Sequence, residues 1–168
     1  MNKYLLTSLL LIVASAAFAH KGAAGVVKER MDAMEAMGDA LKSLKPMIRG
    51  QAEMDKDKVK AAGQLFYQHS GQALIQLFPE GSLHKPTEAK EDIWQQWGRF
   101  QIEAQELNIL SKALVESTGG KIEKTSLVVQ KSNENPQPQV QELSSLSTRE
   151  LLVLVSKNCQ GCHKKFRE

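Results

Sequence analysis

Aromatic side chains are scarce in this chain, at 5% of its 168 residues, and there is little sequence that favours β-strands. Alanine, leucine, lysine, glutamine and glutamate are frequent instead, and most of these residues favour helices. The length suits one globular domain with a single core. We therefore predict an all-α fold.

The sequence also lacks any tract of one charge sign. Its 22 Lys and Arg residues are interspersed with 19 Asp and Glu residues along the chain. Interspersed charges are typical of a solvated surface and not of a patch that binds phosphates. We therefore expect no nucleic acid partner.

No apolar run is long enough for a comfortable membrane span of about 20 residues. The longest one, residues 5–16, follows Lys3 and precedes Ala17-Phe18-Ala19. A basic start, an apolar centre and a small-x-small end are the pattern of a secretory signal peptide. We predict a signal peptide over residues 1–19, cleaved after Ala19. The mature chain should then be exported without stable insertion in the membrane.

Only two cysteines are present, and both lie near the C-terminus in Cys159-Gln160-Gly161-Cys162-His163. CxxCH is the attachment signature of c-type haem, in which two thiols form thioethers with the vinyl groups and the imidazole binds iron. On a helix, these three side chains project from one face, where a planar macrocycle can meet them. The motif predicts one covalently bound haem c. Because such haem is attached outside the cytoplasm, it also predicts the bacterial periplasm.

Two other functions of the motif are weaker alternatives. A structural zinc site needs four nitrogen or sulfur ligands, but there is no third cysteine and the other histidines, His20, His69 and His84, are distant in sequence. A redox-active CxxC of thioredoxin type expects a βαβ setting, which the sequence does not supply.

Apolar periodicity predicts four amphipathic helices. They start near residues 24, 57, 89 and 147, and the first three end near residues 49, 76 and 117. The third helix carries the apolar residues Ile93, Trp97, Phe100, Ile102, Ala104, Leu107, Leu110, Leu114 and Val115. Four such helices favour an antiparallel four-helix bundle, with the haem inside it at one end.

Residues 121–146 form a polar segment that contains Asn135-Pro136-Gln137-Pro138. A loop of this length is uncommon in a compact domain, so we expect it to be partly disordered or extra to the core. It ends at Ser147-Thr148-Arg149-Glu150, which is a capping box at the start of the fourth helix.

With CxxCH at its extreme C-terminal end, the chain resembles the class II cytochromes c, the cytochrome c′ and cytochrome c-556 family. The resemblance covers residues 24–120 and 147–168. Further matching segments are Arg30-Met31-Asp32-Ala33-Met34, Lys45-Pro46-Met47-Ile48-Arg49-Gly50-Gln51-Ala52, Asp92-Ile93-Trp94 with Phe100, and Phe166-Arg167.

The resemblance implies roles for particular residues. Cys159 and Cys162 would hold the haem, and His163 would be the proximal iron ligand. Met34 lies at the family's distal position, with Met31, Met37 and His69 as weaker candidates for that ligand. Arg30, one turn from Met34, would pair with a haem propionate, and Arg167 would cover the proximal edge.

Members of the family with methionine at the distal position are six-coordinate and low-spin. Met34 therefore predicts a periplasmic carrier of single electrons with His163/Met34 ligation, and not an enzyme. The alternative is a five-coordinate cytochrome c′ that binds nitric oxide or carbon monoxide while Met34 only packs. A third hypothesis is a structural or adaptor bundle in which the haem mainly stabilises the fold. We expect a periplasmic redox protein as partner and a monomer or homodimer.

Overall fold

The computed structural model describes residues 22–119, 126–129 and 139–168. The predicted signal peptide, residues 1–19, lies outside these ranges. The described helices and strands are α1 (Gly25–Ile48), α2 (Lys56–Gln68), α3 (Gln72–Ile75), α4 (Asp92–Gln95), α5 (Trp97–Gly119), β1 (Ser126–Val129), β2 (Gln139–Glu142) and α6 (Thr148–Phe166).

The four long helices form a ring in which each packs against two others. Helix α1 contacts α2 and α6, and α5 contacts the same two helices from the opposite side. This arrangement confirms the predicted four-helix bundle. None of the described helices has the length and apolar character that crossing a membrane requires.

The second predicted helix is interrupted near its end. Helix α2 stops at Gln68, and Gly71 takes a positive φ of 57° before the short α3 begins. The Gly71 amide donates to the Ala104 carbonyl of α5 at 2.9 Å, so the backbone turns away from helical geometry to bond a neighbouring helix. A Cβ atom at position 71 would lie 3.1 Å from the Cβ of Asn108, which leaves glycine the residue that fits.

The core consists of two clusters of buried side chains. The first cluster lies along the bundle and contains Leu44, Val59, Phe66, Leu114, Leu143, Leu151 and Val155 among others. The second cluster lies at the end where α6 finishes and contains Leu74, Ile75, Phe78, Ile93, Phe100, Ala104 and Phe166. On α5, Phe100 and Leu114 are buried, whereas Ile102 is 39% exposed.

The predicted loop 121–146 is structured where it is described. Strands β1 and β2 pair antiparallel, with Val128 opposite Val140 in the register. A 3₁₀ turn, Leu143–Ser145, follows, and Leu143 is fully buried in the first cluster. The end of this segment therefore belongs to the core, contrary to the prediction. Residues 120–125 and 130–138 lie outside the described part of the chain.

The capping box at the start of α6 is confirmed. The Ser147 hydroxyl accepts from the Glu150 amide at 3.3 Å, and the Ser147 amide donates to the Glu150 carboxylate at 2.8 Å. Arg149 donates to the Met47 carbonyl near the end of α1. These contacts fix where α6 begins and how it lies against α1, and thereby position the CxxCH motif at its other end.

Candidate haem-binding site

A pocket of about 400 Å³ opens at the end of the bundle where α6 finishes. This volume lies within the range of about 300–1,000 Å³ that is typical of small-molecule sites. Helix α1 lines the pocket with Arg30, Met31, Met34, Glu35 and Gly38. The loop after α3, with α4, contributes Phe78, Thr87, Glu88, Ala89 and Ile93. Helices α5 and α6 contribute Phe100, Cys162, His163, Phe166 and Arg167.

The CxxCH residues lie in the last turns of α6. Cys162 and His163 line the pocket, whereas Cys159 is partly buried and packs against the first cluster. Burial raises the pKa of the Cys159 thiol to about 11 and that of Cys162 to about 12. The Glu103 carboxylate adds to the rise in the pKa of Cys162. Both free thiols are therefore protonated at neutral pH.

His163 is the one histidine among the described residues that lines the pocket. Burial lowers its pKa, the positive charge of Arg167 lowers it further, and the Glu88 carboxylate opposes both effects. A lowered pKa keeps the imidazole neutral at neutral pH. The neutral form has the lone pair that a metal ligand needs.

The hydrogen bonds of Arg30 indicate whether the pocket suits a ligand that carries carboxylate groups. Its side chain is only 2% exposed, and its Nη1 atom donates to the Leu77 carbonyl at 3.2 Å. The guanidinium also lies 4.8 Å from the centre of the Phe78 ring. Its Nε is buried and has no hydrogen-bond partner among the described residues. A buried charged donor without an acceptor, in a residue that lines the pocket, fits a haem propionate.

Arg167 lines the pocket together with His163. Its Nε donates to the Glu88 carboxylate at 2.6 Å, and Arg167 also forms a β-bridge with Ala89. The Lys90 amide donates to the Phe166 carbonyl at 2.9 Å. The loop before α4 is thus bonded to the C-terminal end of α6, where the predicted iron ligand lies.

The candidate distal residues lie at different places. Met34 and Met31 line the pocket, and Met34 also packs against both hydrophobic clusters. Met37 is buried in the first cluster, and His69 does not line the pocket. The structure therefore brings Arg30, Met34, Cys162, His163 and Arg167 to one pocket.

The two alternative functions of the motif find no support in the described residues. No group of three or more His, Cys, Asp or Glu residues in the described ranges could hold a metal ion, as the zinc hypothesis requires. The CxxCH segment lies within a helix of a bundle and not in a βαβ unit.

Several pocket residues were not identified from the sequence. Phe78, Thr87 and Glu88 lie between α3 and α4, in a segment whose path no periodicity predicts. Ser82, whose hydroxyl accepts from Arg30 at 3.1 Å, lies in the same loop. No sequence signal indicated that this loop folds over the end of the bundle.

Comparison with known proteins places this arrangement in a family. The sequence model of the Cytochrome C′ family matches residues 25–167. A cytochrome c′ of Pararhodospirillum photometricum is 26% identical over 144 residues, which cover 84% of this chain and 95% of that protein.

Solved structures agree on the fold. Cytochrome c′ from Rhodopseudomonas palustris superposes with a TM-score of 0.63 at 23% identity, covering 87% of this chain and 98% of that one. A nitric oxide complex of a cytochrome c prime variant from Alcaligenes xylosoxidans gives a TM-score of 0.59 at 20% identity, covering 85% and 94%.

These findings overturn the predicted coordination. Members of the cytochrome c′ family are five-coordinate, high-spin haem proteins that bind nitric oxide or carbon monoxide. The prediction of a six-coordinate electron carrier with His163/Met34 ligation is therefore wrong. A thioether can fill apolar space as readily as it binds iron, and Met34 makes such packing contacts with both clusters.

The family consists of periplasmic proteins that are often homodimeric, carry electrons or bind gases, and are not enzymes of the usual kind. Its members hold one covalently attached haem c. From the match over residues 25–167, the bundle and the CxxCH motif at the end of α6, this chain belongs to the cytochrome c′ family, within the class II cytochromes c.

Proposed function

We propose that this protein binds nitric oxide or carbon monoxide at a five-coordinate haem c, with His163 as the one iron ligand that the chain supplies. The observation that carries the proposal is the placement of His163 and Met34. Among the described residues, His163 is the only histidine in the pocket lining, and Met34 of α1 packs against both hydrophobic clusters. The family's five-coordinate members support the same assignment.

The chain's own residues would hold the haem as follows. Cys159 and Cys162 would form the two thioethers, and Arg30 would donate to a propionate through its Nε, which has no partner among the described residues. Arg167, held by Glu88, covers the side of the pocket that carries His163. When bound, the haem would supply an iron that can bind a small diatomic ligand.

The residues of α1 that line the pocket explain which class of ligand the haem iron would bind. Met31, Met34 and Gly38 give part of this lining an apolar surface, beside the charged residues Arg30 and Glu35. An apolar surface offers no compensation for the hydration that an ion would lose on entry. Uncharged diatomic molecules lose little hydration, so the apolar part of the lining favours them over anions.

Carbon monoxide binding to the reduced protein tests this proposal. At an open iron position, the observed rate should rise in proportion to the carbon monoxide concentration over the whole accessible range. A rate that levels off at a value independent of concentration would show that a protein ligand must first leave, and would refute the proposal. The matched variant Met34→Leu removes the thioether but keeps an apolar side chain, and its rate law should also be linear.

Two further assignments belong to this proposal. Carbon monoxide binds ferrous haem, so a reductant is needed, and we expect a periplasmic redox protein to supply the electron.

Residues 1–19 should direct export and residues 20–168 should form the mature bundle. N-terminal sequencing of the protein from the periplasm should begin at His20, and a start at Met1 would contradict this.

A further inference from the structure

Glu103 is a buried carboxylate that haem attachment and gas binding do not use. It is only 6% exposed and lies on α5 between Phe100 and Ala104, two members of the second cluster. Removing a carboxylate from water costs several kcal/mol unless charged or polar partners compensate. A buried carboxylate next to this apolar cluster therefore needs an explanation.

Partners on two helices compensate the charge. On α5, the Nε of Arg99 donates to one carboxylate oxygen of Glu103 at 3.0 Å, and the Nη2 of Arg99 lies 2.9 Å from the same oxygen. On α6, Lys165 approaches the same oxygen at 3.5 Å. The Asn158 amide donates to the Glu103 carbonyl at 3.2 Å and to the other carboxylate oxygen at 3.4 Å. Glu103 therefore bonds to α6 at two points.

Those two points bracket the haem-attachment motif. Asn158 directly precedes Cys159, and Lys165 follows His163 by two residues. Between them lies Cys162, which packs against the second cluster, to which Phe100 and Ala104 of α5 belong. Asn158, Cys162 and Lys165 follow one another at spacings of four and three residues, so they share one face of α6. The carboxylate that bonds Asn158 and Lys165 therefore faces the same stretch of α6 as the sulfur to which the haem is attached.

We infer that Glu103 is a positioning residue that fixes residues 158–165 against α5 and places a negative charge beside the haem at Cys162, which lowers the reduction potential of the haem. Ferric haem carries one more positive charge than ferrous haem. A nearby carboxylate therefore stabilises the ferric state, while Lys165 and Arg99 partly offset this effect. The inference rests on the covalent haem and not on gas binding.

Redox titration of the haem-loaded protein, followed by its visible spectrum, tests this inference. Glu103→Gln keeps the shape and an acceptor oxygen but removes the charge, so the midpoint potential should shift to a more positive value. Lys165→Met removes a cation from the same carboxylate, so the midpoint potential should shift to a more negative value. A merely structural role would not produce shifts of opposite sign.

Glu116→Gln is the matched control. Glu116 lies on the same helix and forms an ion pair with Lys112, but it is about 20 Å from Glu103 along the helix axis. Its substitution should leave the potential unchanged.

Equal potentials for the original protein, Glu103→Gln and Lys165→Met would overturn the inference, as would shifts of the same sign. If Glu103→Gln yields no folded haem protein, Lys165→Met decides alone. The side chain of Lys165 is 40% exposed, so the fold should tolerate its replacement by methionine. A negative shift then supports the inference, and no shift refutes it. Because the potential is measured without any gas, failure here is distinguishable from failure of the carbon monoxide experiment.

Discussion

The Arg30 side chain of α1 donates to both the hydroxyl and the carbonyl oxygen of Ser82, which lies in the loop before α4. These buried bonds connect the first helix of the bundle to the loop that lines the pocket. They hold the guanidinium in place while its Nε keeps the capacity to bond a carboxylate.

Replacing Ser82 with alanine removes one acceptor from this buried cation. Hydrogen bonds to charged groups contribute about 1.5–3 kcal/mol, so Ser82→Ala should lower the free energy of unfolding by that order. Denaturant titration of the haem-loaded protein measures the change. Ser43→Ala is the control, because the Ser43 hydroxyl bonds a carbonyl on the exposed side of α1 and its loss should have little effect. Equal stability losses in the two variants would contradict the assignment.

Two apolar residues of α5 should respond differently to truncation. Leu114 is fully buried in the first cluster, and Leu→Ala at such sites costs about 2–5 kcal/mol. Ile102 is 39% exposed, so Ile102→Ala should cost well below that range. Thermal unfolding of both variants makes the comparison. A larger loss at Ile102 would show that α5 is rotated relative to this structure.

The capping box predicts a pH-dependent effect at the start of α6. Ser147→Ala should destabilise the protein by about 1 kcal/mol at neutral pH. Bonds from Ser147 lower the pKa of Glu150, so their contribution is present above the carboxyl's ordinary value of 4.5 and is lost as the pH falls through the lowered value. Unfolding measurements should therefore show the difference between the two proteins becoming smaller in acid, where only the bond from the Glu150 amide to the Ser147 hydroxyl remains. Ser145→Ala, on the neighbouring 3₁₀ turn, should show no such convergence.

Glu106 should have the opposite pH dependence. Burial raises its pKa above 4.5, and the neighbouring charge of Glu103 raises it further. A raised value in the folded state means that stability is fully present below pH 4.5 and is lost as the pH rises through the folded pKa. Glu106→Gln should therefore be more stable than the original protein at pH 7, and the gain should disappear near pH 4. A variant that is less stable at both pH values would contradict this.

Features that depend on neighbouring residues in the sequence were predicted correctly. Helix α1 and the capping box at Ser147 follow from local periodicity and local hydrogen bonds, and CxxCH carries its meaning within five residues. The break at Gly71 was not predicted because it depends on a bond to Ala104 on another helix. The burial of Glu103 depends in the same way on Lys165 and Asn158 of α6.

The coordination of the iron could not be predicted from the sequence, for a different reason. A methionine near a pocket can bind iron or fill space, and both uses need the same residue at the same helical position. The packing of Met34 against two clusters, together with the five-coordinate family, favours the second use.

The most direct test of the account is the visible absorption and electron paramagnetic resonance of the haem-loaded protein, beside that of Met34→Leu. We predict high-spin, five-coordinate spectra for the original protein in both oxidation states, and the same spectra for the variant. A low-spin spectrum in the original protein that becomes high-spin in Met34→Leu would contradict the account, because it would make Met34 an iron ligand.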